Sequence, residues 1–167
     1  MRTLVTYMSL SGNTRKIADM IYANIDGAKD LRELGEVQSL ESYDLVFVGF
    51  PVHQFGAPAS VEEFMEKNAK GRNVGLFVTH AMPPGMDMLK GIMAKCQAPF
   101  AQARVLGVYD CQGELAESVA RSLIGSPSPQ LQEFGRMRAL TIGHPDAAEI
   151  SGAGEFARSI VAMVSSG

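Results

Sequence analysis

Ser9, Ser11, Asn13 and Thr14 place four short polar side chains within six positions, around Gly12. They follow the apolar run Thr3–Val5 and lead into a helical pattern. Hydroxyls, a glycine bend and the unpaired N–H groups of a helix start together suit an anion, because the helix N-terminus carries positive potential. No lysine stands where a nucleoside-triphosphate loop needs one, and no GxGxxG pattern offers a dinucleotide pyrophosphate site. A single phosphate monoester fits the donors better. The competing reading is a helix start capped by Ser11 or Asn13. The two are not exclusive, since the N–H groups that need a cap are those that can bind a phosphate.

The elements that must position this loop are strands and helices in alternation. Arg2–Tyr7, Leu45–Gly49, Asn73–Thr79 and Ala103–Tyr109 are nearly continuous apolar runs, as expected of parallel strands buried on both faces. A weaker run, Ala28–Arg32, reads as an edge strand. Asn13–Ile25 carries Ile17, Met20, Ile21 and Ile25 on one helical face. Ser60 and Glu63 form a capping-box pattern before the next helix. Met86–Lys95 is a third helix. Ala147–Val164 is a fourth, with Gly152 and Gly154 leaving its first turns open. Such alternation implies an open α/β sheet with right-handed crossovers. Ligands of such sheets bind beyond the carboxyl ends of the strands. The loops Met8–Thr14, Pro51–Ala59 and His80–Met86 therefore converge on one edge.

A length of 167 residues, 46 % hydrophobic and 20 % charged, describes one globular domain. The net charge of −3 gives no basic stripe, so no nucleic-acid partner is expected. No apolar run reaches the ~18 residues of a spanning helix, and no membrane partner is expected. Cys96 and Cys111 lack CxxC spacing, and a reduced, cytoplasmic setting is the simpler reading, with a disulfide between them left open. No His, Cys and Asp cluster has metal-ligand spacing, so no metal is assigned. His144 before Pro145 reads as part of a turn.

The motif "SLSGNT" resembles the flavodoxin phosphate-binding loop, Ser/Thr-x-Ser/Thr-Gly-x-Thr. "YDLVFVGFPVHQFGAPAS" resembles that family's third strand and the loop after it, and "LTIGHPDAAEISGAGEFARSIVAMV" its last segment. The resemblance implies a single-domain, three-layer, doubly wound sheet of five parallel strands in the order 2-1-3-4-5 with FMN at the switch point. The domain would span 1–167, with 112–139 as an insert after the fifth strand. Ser9, Ser11, Gly12, Asn13 and Thr14 would hold the FMN phosphate. Pro51, His53, Phe55 and Gly56 would line the isoalloxazine, with the peptide of Gly56 able to bond flavin N5.

The third loop, "HAMPPGMD", lacks the tyrosine or tryptophan that commonly stacks on the flavin there. Met82 or Pro83 takes that place, and His80 either caps backbone groups or touches FMN. Ala57 follows Phe55-Gly56 and Asp87 is the one acid in the third loop, so the last electron should be added at a less strongly lowered potential than in acidic flavodoxins. Within the insert, Leu115, Val119 and Leu123 form one amphipathic stripe and "PQLQEFGRMRAL" a second helix. Cys111 is a free thiol of low expected reactivity. The family implies an electron carrier between redox partner proteins, with no acid–base catalytic residue. Two alternatives stand beside it: an FMN-dependent reductase or its dedicated electron-donating subunit, and a flavin-free interaction module.

Overall fold

A computed structural model describes residues 1–166. Five parallel strands, β1 (Arg2–Tyr7), β2 (Ala28–Glu33), β3 (Leu45–Pro51), β4 (Asn73–His80) and β5 (Arg104–Gln112), lie in the order 2-1-3-4-5. The helices are α1 (Asn13–Ala23), α2 (Ala59–Asn68), α3 (Asp87–Gln97), α4 (Glu117–Ile124), α5 (Pro129–Arg136) and α6 (Ala147–Ser165). Strands β3, β4 and β5 run one to three residues beyond their apolar runs, because pairing continues through Pro51↔Thr79 and His80↔Gln112. No helix among the described residues is long and apolar enough to cross a membrane.

Alternation along each central strand divides the core in two. Leu4, Val46, Val48, Phe50, Leu76 and Val78 face α2 and α3, whereas Val5, Leu45, Phe47 and Phe77 face α1 and α6. On the second face, Gly49 is registered opposite Phe77, and Phe47 opposite Gly75. Each ring lies over the glycine beside it: a Cβ on Gly49 would stand 1.9 Å from the Phe77 ring, and one on Gly75 2.7 Å from Phe47. The glycines are thus the space that the two phenylalanines fill.

Two helix starts differ from the sequence expectation. Helix α2 begins at Ala59, and the extended Pro58 at its N-cap accepts from Val61 N and Glu62 N at 2.9 and 3.1 Å. Ser60 therefore lies inside the first turn and caps nothing; its hydroxyl reaches Met8 Sδ at 3.5 Å. Helix α6 is continuous through Gly152 and Gly154. A reciprocal Asp146/Glu149 capping box starts it, and the glycines admit the Tyr109 hydroxyl and the Asn24 side chain at distances no other residue allows. The expected stripe on α4 also shifts. The helix starts at Glu117, so Leu115 precedes it, Ala120 is its buried residue, and Val119 is exposed.

Cys96 lies buried in the α2/α3 core and Cys111 in the α1/α6 core, on opposite faces of the sheet, and both are free. Burial pushes the thiols up to about 11 and about 12, respectively. Both stay protonated at neutral pH, where only the thiolate reacts. A colorimetric thiol reagent should therefore leave the native protein unmodified near pH 7.5 and titrate both cysteines after denaturation. The raised values also mean that folding gains from the neutral thiols below the ordinary value of 9.0, and that this gain is lost as pH rises toward about 11.

Candidate functional site

The strand order reverses between β1 and β3, and the loops after β1, β3 and β4 meet at their carboxyl ends. In the first loop, Gly12 is the N-cap of α1 with φ +90°, a left-handed conformation that glycine adopts without steric cost. No side chain of the N-cap residue closes the helix start, and neither Ser11 nor Asn13 serves as its cap. Ser9 Oγ accepts from Arg15 N at 3.3 Å, while its own proton is free for another acceptor. Ser11 is exposed. Capping by Ser11 or Asn13 thus gives way to a loop in which Ser9 engages the Arg15 amide, while the Ser11 hydroxyl and the amides of Asn13 and Thr14 remain open to an anion.

Two members of the motif turn inward instead. Thr14 is buried, and its hydroxyl shares a 2.8 Å hydrogen bond with Thr79 of β4. Asn13 Nδ2 donates to the carbonyl of Glu114 at 2.9 Å. These bonds tie the loop to β4 and to the segment that follows β5.

The second loop makes the tightest turn in the site. His53 and Gly56 exchange both backbone N–H···O bonds at 3.0 Å across Gln54 and Phe55. Gln54 and Phe55 have φ of +48° and +64°. Two positive φ values are the signature of a type I′ turn, which ordinarily selects Asn or Gly. A bulky residue held there costs about 1–2 kcal/mol of backbone strain. The turn presents the Phe55 ring outward, 40 % exposed, with His53 and Gln54 exposed beside it. Pro51 and Gly56 are half-buried at its base. Met8 and Leu10 of the first loop and His53 to Ser60 of the second border one cleft of about 730 Å³.

In the third loop, His80 is buried at the end of β4. Its Nδ1 lies 3.1 Å from the Met82 carbonyl and its Nε2 3.1 Å from Asp110 of β5. Both ring nitrogens are directed at protein atoms, which makes His80 a tie between this loop and the sheet. Met82, 3 % exposed, packs in the core and lines a cavity on the far side of Phe55.

Residues 112–115 join these loops, where the sequence pattern placed only the start of an insert and gave them no part in the site. Gly113 N donates to the His80 carbonyl at 2.8 Å, and Gln112 Nε2 reaches the Ala81 carbonyl at 3.4 Å. Glu114 accepts from Asn13 and pairs with Arg138 at 3.0 Å. A Cβ on Gly113 would lie 2.8 Å from Asn13 Nδ2. The one available signal was Gly113 itself, a glycine directly after an apolar strand. Contrary to the reading of spacing, His144, Asp146 and Glu149 do bring ligand-type atoms within 4.8 Å of one another. Those atoms bond each other and the backbone: His144 Nδ1 to Glu149 Oε2 at 2.7 Å, Glu149 Oε1 from Gln112 N at 2.9 Å, and the capping box. They serve to start α6 and to hold the end of β5.

Residues 4–158 match the family model described as a flavodoxin domain. The chain is 27 % identical over 175 residues to the flavodoxin-like domain-containing protein BilS of Clostridioides difficile (strain CD3), covering 99 % of each. It shares its fold with a flavodoxin from the domain Archaea, with a TM-score of 0.62, 15 % identity and 99 % of both chains covered. It also shares its fold with a flavoprotein from Lactobacillus acidophilus solved in complex with FMN, with a TM-score of 0.53, 19 % identity, 72 % of this chain and 97 % of that one.

Proposed function

Because this chain belongs to the flavodoxin domain family, we propose that it binds FMN and carries electrons between redox partner proteins of the cytoplasm. The observation that carries this reading is the helix start at Gly12, whose first two amides, of Asn13 and Thr14, take no side-chain cap and lie beside the Ser9 and Ser11 hydroxyls. A donor set of hydroxyls and helix amides, without a lysine, fits a phosphate monoester. The exposed Phe55 ring, fixed on its strained turn, suits contact with an aromatic ring system.

Ser9, Ser11 and the amides after Gly12 would hold the phosphate, with Thr14 and Asn13 keeping the loop in place from below. Phe55, Gly56 and the neighbouring His53 would orient the ring, and Pro51 sets where the turn leaves β3. Met82 and His80 fix the third loop, through core packing and through Asp110. Bound FMN supplies the one- and two-electron chemistry, and the protein supplies anchoring and local electrostatics.

A dedicated electron-donating subunit or an FMN-dependent reductase is a second reading, favoured by a large apolar cavity beside Phe55. One kinetic experiment separates the two. FMN-loaded protein, reduced and mixed with a one-electron acceptor protein, should be reoxidised in a single bimolecular step. It should show no turnover of small quinones with a nicotinamide donor. Steady turnover with the nicotinamide alone marks a reductase, and failure to pass electrons to any protein acceptor contradicts the carrier.

A further inference from the structure

We propose that Glu114 and Arg138 are positioning residues for the flavin phosphate, holding the start of α1 through Asn13 although neither lies in the phosphate loop. The proposal rests on the flavin reading and gives the segment between β5 and α6 a part in it. Asn13 is the first residue of α1, and its amide is one of the two left open for the anion. Its Nδ2 donates to the Glu114 carbonyl at 2.9 Å. Contact there is close, since a Cβ on Gly113 would stand 2.8 Å from the same nitrogen. The Asn13 side chain therefore stays where the backbone of residues 113–114 puts it.

That backbone is fixed in turn from the far end of the segment. Glu114 N donates to the His144 carbonyl at 2.8 Å, and the Glu114 carboxylate accepts from Arg138 Nη2 at 3.0 Å and from Gly143 N at 3.5 Å. With its carbonyl on Asn13, every polar group of Glu114 is engaged. Leu115 N donates to Thr141 Oγ1 at 2.9 Å, and that hydroxyl donates to the Arg138 carbonyl at 2.7 Å. Glu114 is the one ion-pair partner of Arg138 among the described residues, and Arg138 Nε is buried without a hydrogen-bond partner. A partly desolvated pair of this kind is screened less than the exposed pairs along the helices. Holding a donor loop in its binding geometry before the ligand arrives removes an ordering cost from the affinity. Glu114 and Arg138 do this for the amides of Asn13 and Thr14.

Paired titrations with FMN and riboflavin test the assignment, because a residue that only stabilises the fold moves both ligands alike. Arg138→Met keeps the aliphatic stem and removes the charge. It should weaken FMN about tenfold and leave riboflavin within about twofold. Glu114→Gln should weaken FMN about threefold, and Arg138→Lys, which restores a cation, should recover most of the loss. In an Asn13→Ala background, Arg138→Met should add less than about twofold, since the tether it acts through is already cut. Equal losses for the two flavins overturn the proposal, as does an additive loss on top of Asn13→Ala. Unchanged or tighter FMN binding in Glu114→Gln also overturns it; tighter binding would mean that Arg138 attracts the phosphate directly. A parent protein that prefers FMN while all these variants match it sinks this proposal alone. A parent with equal affinity for the two flavins sinks the flavin reading and this proposal with it.

Discussion

Replacing Ser9 and Ser11 together by alanine should weaken FMN binding about 100-fold, because each charge-assisted hydrogen bond to a phosphate contributes about 1.5–3 kcal/mol. Riboflavin, which lacks the phosphate, should bind the variant and the parent within about twofold of each other. The two hydroxyls are the right ones to remove because neither lies in the core: Ser11 is exposed, and Ser9 keeps only a 3.3 Å contact to Arg15 N. Thr14→Ala is a different experiment. It removes one partner of the buried 2.8 Å bond to Thr79, so it should cost about 1–3 kcal/mol of stability in addition to any loss of FMN. Thr14→Ser retains the hydroxyl and should preserve most of both. Paired titrations of FMN and riboflavin by fluorescence quenching read the effect. Equal losses for the two ligands would refute the assignment of this loop to a phosphate.

Gly49→Ala should be the most damaging conservative change in the sheet. The added methyl would sit 1.9 Å from the Phe77 ring, and Phe77 is fully buried in a central strand with no room to retreat. Overpacking of a core typically costs 1–3 kcal/mol, and a rigid ring places this site at the upper end, about 3 kcal/mol. That corresponds to a fall in Tm of about 10 °C for a domain of this size. The clash is pairwise, so Phe77→Leu in the same chain should recover part of the loss, whereas Phe77→Leu alone should destabilise. Such a reversal is the coupling a double-mutant cycle detects. A Gly49→Ala protein within about 0.5 kcal/mol of the parent would show that Phe77 does not occupy this space.

These two sites differ in how far the sequence reveals them. The phosphate-loop motif is local: hydroxyls, glycine and helix start lie within six positions, so residue type and spacing carry most of the information. The three central strands were equally legible, since burial on both faces leaves continuous apolar runs, whereas β5, read as buried in the same way, is a part-exposed edge strand. Which hydroxyl faces outward was not legible. Thr14 turns to Thr79 and Asn13 to Glu114, partners 65 and 101 residues away, which only the folded sheet brings near. The same holds for His80, whose link to Asp110 depends on β4 and β5 being neighbours. Helix starts differ where backbone geometry outweighs side-chain chemistry: the extended Pro58 caps α2 two residues ahead of Ser60. Residues 112–115 escaped because their role rests on main-chain groups, which any sequence can supply.

The left-handed Gln54–Phe55 turn shows the converse case. Nothing in "VHQFG" signals a two-residue turn, which would normally be written with Asn or Gly. Backbone strain of this kind persists only where the surroundings impose it, and it concentrates at functional sites. Here it fixes the exposed aromatic ring between the two cavities.

The most direct measurement is an equilibrium titration of the flavin-free protein with FMN and, separately, with riboflavin, followed by visible absorbance and fluorescence quenching. The account predicts one FMN site of micromolar affinity or tighter, and riboflavin bound at least about 100-fold more weakly, since the phosphate contacts are lost. Equal affinity for the two flavins, or no binding of FMN at micromolar concentrations, would contradict it.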